Sequence, residues 1–128
     1  MTTELFVNGT LMRGLPLHAN LAGAEFLATQ RTAPVYRLLS IGDVHPGMVE
    51  VAEGGVAVEG ELYRVPDDVL RWVLAGEPPN LHLGRVRLAD DREVPGILYD
   101  PAAPAVAETR DISAFGGWRA YIARRDGP

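Results

Sequence analysis

LFVNGTLMRG, Leu5 to Gly14, is the stretch on which the reading of this chain turns. Asn8-Gly9 follows the apolar run Leu5-Phe6-Val7. It is also the dipeptide a two-residue type I′ hairpin turn prefers, because both residues tolerate positive φ. A hairpin needs a returning strand, however. Thr10-Leu11-Met12-Arg13-Gly14 alternates poorly and runs into Pro16. The residues alone leave two readings: a tight turn, or a main-chain loop built to hold something.

Outward from this stretch, Glu4 to Val7 reads as a short strand. Leu15 to Phe26 reads as one or two helical turns opened by Pro16, with Leu17 and Leu21 four apart and Gly23 weakening it. Val35–Leu39 and Met48–Val51 read as strands around the turn-rich SIGDVHPG. Val56–Val65 alternates with period two, and Gly60 within it marks a bulge or a close approach of other atoms. One helix is clear, from Pro66 to Ala75. Pro66 suits its first position, Asp67 and Asp68 complement the N-terminal dipole, and Val69, Leu70, Val73 and Leu74 form an apolar stripe that Gly76 ends. Arg85–Leu88 and Glu93–Tyr99 read as a hairpin around ADDR. DPAAPAVAE is a surface excursion, and FGGWRAY is a closing loop or helical turn that docks Trp118 and Tyr121. Many short strands around one helix predict an α+β domain or a small mixed barrel rather than a doubly wound sheet.

Composition narrows the chemistry. At 128 residues, nearly half of them apolar, the chain is read as one domain (1–128) able to bury a core without metals or disulfides. No apolar run approaches the ~20 residues of a bilayer span, and the N-terminus lacks the basic and apolar regions of a signal peptide. A cytoplasmic protein is the expectation, with no membrane partner. The net charge of −5 and the lack of a basic stripe argue against nucleic acid. With no cysteine there is no thiolate nucleophile. All twelve basic residues are arginine, which removes Schiff-base chemistry, the P-loop lysine and any Ser-Lys dyad. The arginine bias with abundant Ala, Gly, Val and Pro reads as a GC-rich, bacterial genome.

Few residues remain for catalysis. Ser40 and Ser113 lie outside any G-x-S-x-G elbow. His18, His45 and His82 are scattered and lack H-x-x-x-H spacing, so no metal and no cofactor is expected. Gly54-Gly55 is a plain turn. Glu77, in AGEPPN, is the carboxylate of interest. Pro78 restricts its backbone, and the helix C-terminus and any burial both oppose its ionisation, raising its pKa toward the range useful for proton transfer. A solvated acid in a turn is the alternative.

A strand followed by Gly-Thr-Leu-Met-Arg-Gly resembles the opening Y-G-[ST]-L of the gamma-glutamylcyclotransferase-like superfamily. The later pieces keep the same order: YRLLSIGDVHPGMV, GELYRVPDDVL, a glutamate after the helix, a closing strand pair, and GGWRAY. A closer likeness is to the C-terminal domain of allophanate hydrolases, carried by NGTLMRGLPLHANL, RTAPVYRLLSIG, HPGMV and LHLGRVRLADDREVPGIL. The amidase half of those enzymes, whose Ser-Ser-Lys triad needs a lysine, is absent from this sequence.

The resemblance implies an α+β fold, a small mixed β-barrel with flanking short helices, whose first loop and a glutamate share a cavity. It implies Glu77 as general base and then acid in closing a γ-glutamyl amide to 5-oxoproline. It further implies that Asn8, Gly9, Thr10 and Leu11 hold the substrate, with Gly9 present for close approach. Active members carry a tyrosine and an arginine soon after the glutamate; here NLHLGR offers His82 and Arg85 as substrate-binding stand-ins. Asn8 replaces the motif tyrosine, which puts the substrate in doubt. Allophanate-hydrolase domains generally lack the glutamate, so Glu77 favours catalysis. The expected partner is a small-molecule substrate, and a homodimer stays open. Two rivals remain: an accessory domain of the urea pathway acting on N-carboxycarbamate, and a non-catalytic small-ligand-binding or interaction module.

Overall fold

The computed structural model describes residues 1–105 and 107–126. In order, the chain forms β1 (Thr2–Val7), a single 3-10 turn (His18–Leu21), β2 (Glu25–Arg31), β3 (Tyr36–Ile41), β4 (His45–Glu50) and β5 (Glu59–Pro66). Then come α1 (Asp67–Ala75), β6 (Leu81–Arg87), β7 (Glu93–Tyr99), β8 (Thr109–Asp111), a short 3-10 turn (Ser113–Phe115) and α2 (Trp118–Arg125).

Leu5, Phe6 and Val7 are consecutive and all buried, so β1 is covered on both faces. It holds the middle of a five-stranded sheet of order β2-β5-β1-β7-β6, antiparallel to β5 and parallel to β7 at Phe6–Gly96. A second sheet, β4-β3-β8, is antiparallel throughout. The architecture is α+β, with two open sheets in place of one closed barrel. The second sheet is tied to the first by the Tyr36 hydroxyl, which accepts the Arg87 N–H at 2.8 Å, while the bridge Thr32–Leu88 brings together the ends of β2 and β6, the two edge strands of the five-stranded sheet. One continuous core includes Leu5, Phe6, Tyr36, Leu38, Met48 and Leu88. Burying each such side chain contributes roughly 1.5–3 kcal/mol. Among the described residues no helix is long and apolar enough to cross a membrane.

Several element bounds differ from the sequence reading, each for a local reason. Only His18–Leu21 of the predicted helical segment 15–26 winds up; Gly23 takes φ +94°, and from Glu25 the chain is extended. β2 escapes the period-two test because of a bulge: Phe26 pairs with Tyr63 and Ala28 with Leu62, so Leu27 is an extra residue that resets the alternation. The strand expected at Val56 begins at Glu59, and Val56 itself makes an isolated bridge to Tyr36. Gly60 is a close approach: a Cβ there would collide with the Phe6 ring and the Val7 carbonyl. Pro66 ends β5 and precedes the helix, rather than occupying its first turn. β6 begins at Leu81, four residues before the expected start. The excursion 100–108 lies at the surface, Val106 within it being outside the described residues. FGGWRAY closes the molecule as predicted, with Trp118 and Tyr121 buried and the Tyr121 hydroxyl donating to Asp43 Oδ1 at 2.6 Å.

Candidate active site

The loop after β1 turns, but not at Asn8-Gly9. The Met12 N–H bonds to the Gly9 carbonyl at 3.0 Å, which places Thr10 and Leu11 at the corner. Gly9 does not take positive φ. Glycine is required there because a Cβ would sit 2.7 Å from Cγ and Cδ of Pro46. Three successive carbonyls of the loop are occupied: Gly9 by Met12, Thr10 by the Leu17 N–H at 2.9 Å, and Leu11 by His18 Nδ1 at 2.9 Å. The N–H groups of Gly9, Thr10 and Leu11 have no acceptor among the described residues. The loop thus has its acceptors satisfied and three consecutive donors to spare, the arrangement from which main-chain anion sites are made. The Asn8 side chain is buried, and its Nδ2 donates to Met48 Sδ at 3.2 Å, a weak acceptor.

Glu77 reaches the same place from α1. The helix ends at Ala75, and Pro78 to Leu81 form a tight turn in which the Leu81 N–H bonds to the Pro78 carbonyl at 3.3 Å and Asn80 takes φ +70°. Proline second and a positive-φ residue third are what a type II turn demands. Asn80 Nδ2 donates to the Pro104 carbonyl at 3.0 Å, which secures the turn. This short, proline-stiffened connection gives Glu77 little freedom. Its carboxylate has no ion-pair or hydrogen-bond partner among the described residues. Burial raises its pKa to about 7.

Together these segments line one narrow cleft: Asn8, Gly9, Thr10 and Leu11 from the loop, Glu77 and Pro78 after α1, and His45, Pro46 and Met48 from β4. Val7, Leu81 and Ile97 complete its apolar part. The cavity volume is about 30 Å³, well below the roughly 300–1,000 Å³ of typical small-molecule sites, so the cleft proper receives a functional group while the rest of a substrate lies in its open mouth. The lining contains one carboxylate and no guanidinium. An ionised Glu77 therefore meets no competing cation, and an ammonium group is its natural guest.

His82 and Arg85 do not line this cleft. Both are exposed on β6, where Leu81 is the residue that faces it. Strand alternation turns His82 to the opposite side from Leu81. Arg85 shares the Leu81 face but lies four residues, roughly 13 Å, farther along; its Nη2 donates to the Glu93 carbonyl. The wall that the sequence reading missed is β4. His45 is buried, with Nδ1 at 3.1 Å from the Pro46 carbonyl. When Nδ1 donates that bond, Nε2 is left as an acceptor. The only sign of it in the sequence was HPGMV, noted as part of a resemblance and not as a site. Among the described residues no three His, Asp or Glu side chains gather to hold a metal.

Comparison with known proteins bears on this geometry. The family described as the allophanate hydrolase C-terminal domain matches residues 3–123. The chain is 31% identical over 126 residues to urea amidolyase of Saccharomyces cerevisiae; the match covers 93% of this chain but spans only 7% of that much longer protein. It is 38% identical over 112 residues to a human gamma-glutamylaminecyclotransferase, covering 80% of this chain and 72% of the other. Among solved structures, a uropathogenic E. coli-specific protein superposes with a TM-score of 0.90 at 43% identity, over 96% of this chain and 97% of that one.

Proposed function

From the fact that this chain belongs to the allophanate hydrolase C-terminal domain family, within the gamma-glutamylcyclotransferase-like fold, we propose that it is a small-molecule enzyme with Glu77 as its proton shuttle. The substrate class is a γ-glutamyl amide or a related carboxylated amide. The observation that carries the reading is one cleft lined by Glu77 and by Gly9, Thr10 and Leu11, whose N–H groups have no acceptor among the described residues.

The chemistry follows from these groups. Glu77, poised near neutrality, takes a proton from the substrate α-ammonium. The freed amine attacks the γ-carbonyl of the same molecule, forming the ring C–N bond, while the carbonyl electron pair moves onto oxygen. Donors of the loop hold the α-carboxylate, which keeps the amine aimed at the γ-carbonyl. As the oxyanion collapses, the bond to the original amide nitrogen breaks and Glu77 returns its proton to that nitrogen; the ring nitrogen sheds its second proton to the departing amine, which leaves as an ammonium. The products are 5-oxoproline and an amine, with no water or cofactor consumed. Because the nucleophile is part of the substrate, orientation supplies much of the acceleration, which suits a small cleft with one titratable carboxylate.

The test is to incubate the protein with a panel of γ-glutamyl amines and follow 5-oxoproline. Product with the wild type and its loss in Glu77→Gln supports the reading. No product from any donor, or full activity in the variant, overturns it.

A second reading is favoured by the family match and by His45 in the cleft wall: action on a small carbamate-type anion such as N-carboxycarbamate. The two differ in pH dependence. An anionic substrate enters best while Glu77 is neutral, so its turnover falls as pH rises through about 7; cyclisation, which needs the carboxylate, rises. A coupled assay with an amidase, with and without this chain, tests the second reading directly, and unchanged ammonia release counts against it.

A further inference from the structure

A second buried carboxylate, unused by the chemistry above, stands beside the same loop. Glu61 is on β5 opposite Val7, with its side chain 5% exposed. Its Oε1 accepts the Arg13 main-chain N–H at 2.9 Å and the Tyr63 hydroxyl at 2.8 Å. Its Oε2 accepts Arg13 Nε–H and Arg119 Nη2–H, both at 3.2 Å. Arg119, on α2, also donates to the Arg13 carbonyl at 3.1 Å. Burial pushes the Glu61 carboxyl up, but the donors from Arg13 and Tyr63 outweigh it and hold the group below the usual carboxylate range.

The consequence lies in what is fastened. Arg13 is gripped at both ends of its main chain, the N–H by the central sheet and the carbonyl by the C-terminal helix. The other hydrogen bonds of main-chain groups in 9–14 are local to the loop, Met12 N–H to Gly9 and the carbonyls of Thr10, Leu11 and Met12 to Leu17, His18 and Leu15, and the segment is bracketed by Gly9 and Gly14, the latter at φ +79° in open space. Leu11 and Met12 anchor the loop in the core, but its main-chain hydrogen bonds to β5 and α2 are those at Arg13; without them the peptide groups two to four residues upstream lose their polar link to both elements and gain freedom to reorient.

We infer that Glu61 and Arg119 are positioning residues for the cleft: by clamping Arg13 they hold the Gly9–Leu11 N–H groups where the substrate's anionic group is received. What those donors receive rests on the proposed function; the clamp is a property of the free protein.

Arg119→Gln tests it, since the Arg119 side chain is 42% exposed and its loss leaves the core intact. In the free protein, 15N relaxation order parameters of residues 9–13 should fall from about 0.85 toward 0.6 while those of β1 stay unchanged. With substrate, KM should rise about tenfold through misplacement of the loop, with kcat and its pH midpoint unmoved because Glu77 is untouched. Arg119→Lys should recover much of the wild-type behaviour, because both Arg119 bonds come from the single Nη2 nitrogen and a lysine ammonium carries enough donors to make both. Glu61→Gln should act in the same direction. Unchanged order parameters at residues 9–13, or a fall in kcat at constant KM, overturns the clamp. If the wild type forms no 5-oxoproline, the proposed reaction fails, and the relaxation experiment alone decides the clamp.

Discussion

At the scale of single residues, Glu77 couples activity to stability with opposite signs. Its carboxyl titrates near 7 in the folded protein because burial disfavours the charge, whereas the unfolded chain leaves it near its ordinary 4.5. Between these values the native state binds the extra proton, so raising the pH from about 4.5 to 7 weakens the fold, and the loss is complete above 7. Glu77→Gln cannot ionise and escapes this cost. Thermal unfolding should therefore show the variant and wild type alike near pH 4.5 and the variant the more stable at pH 8, by about 3 kcal/mol. The same variant should lose activity by ~100-fold or more, the usual contribution of a general acid–base. In the wild type, kcat/KM for cyclisation should climb to a plateau above pH 7. A variant less stable than wild type at pH 8 would contradict the buried-carboxylate account. Glu77 was readable in sequence because helix end, glycine and proline stand in a row. His45 was not: its place depends on Pro46 packing over Gly9, thirty-seven positions away, and no local pattern reports such a contact.

At the scale of elements, the Asn8-Gly9 stretch shows how a local signal is overridden. The dipeptide is suited to a type I′ turn, yet β1 finds its partners in β5 and β7, and the chain beyond Val7 is drawn against β4 instead of folding back. Gly9 is then needed for distance and not for φ. Gly9→Ala should force the loop off Pro46, destabilise the protein by about 1–3 kcal/mol as overpacking does, and widen the cleft enough to depress activity. Gly14→Ala is the control: a side chain there meets nothing within 4 Å, though φ is +79°. It should cost only about 1 kcal/mol of αL strain. Equilibrium urea unfolding of both variants checks the difference. β1, α1 and the β6–β7 hairpin were legible because each carries its own periodicity or stop signal. β2 was hidden by its bulge, and the early start of β6 by a turn whose Pro-Pro-Asn signature resembles a loop more than a strand boundary.

At the scale of the whole molecule, two open sheets stay in register through few polar stitches. The Tyr36 hydroxyl reaches from one sheet to the Arg87 N–H of the other, and Tyr36 is 1% exposed. Tyr36→Phe removes that acceptor and strands a main-chain donor, so it should cost about 1–3 kcal/mol in chemical denaturation. Cavity formation is slight, and the elements themselves should survive. The α+β class and the single core were legible from many short alternating runs, but the division into two sheets was not: strand order is set by long-range pairings such as β1 with β7, which no short window contains. One feature bears on how such a molecule can change over time. The donors offered to the cleft belong to the peptide units of Gly9, Thr10 and Leu11, whose carbonyls are spoken for by Met12, Leu17 and His18. A grip made of main chain is not erased by substitution at Thr10 or Leu11. The half-buried Thr10 side chain is free to drift and recut the cleft wall while Leu11 stays tied to the core, so, under the proposed reaction, the scaffold would be retargeted from one carboxylated amide to another without first surrendering its hold on the anion.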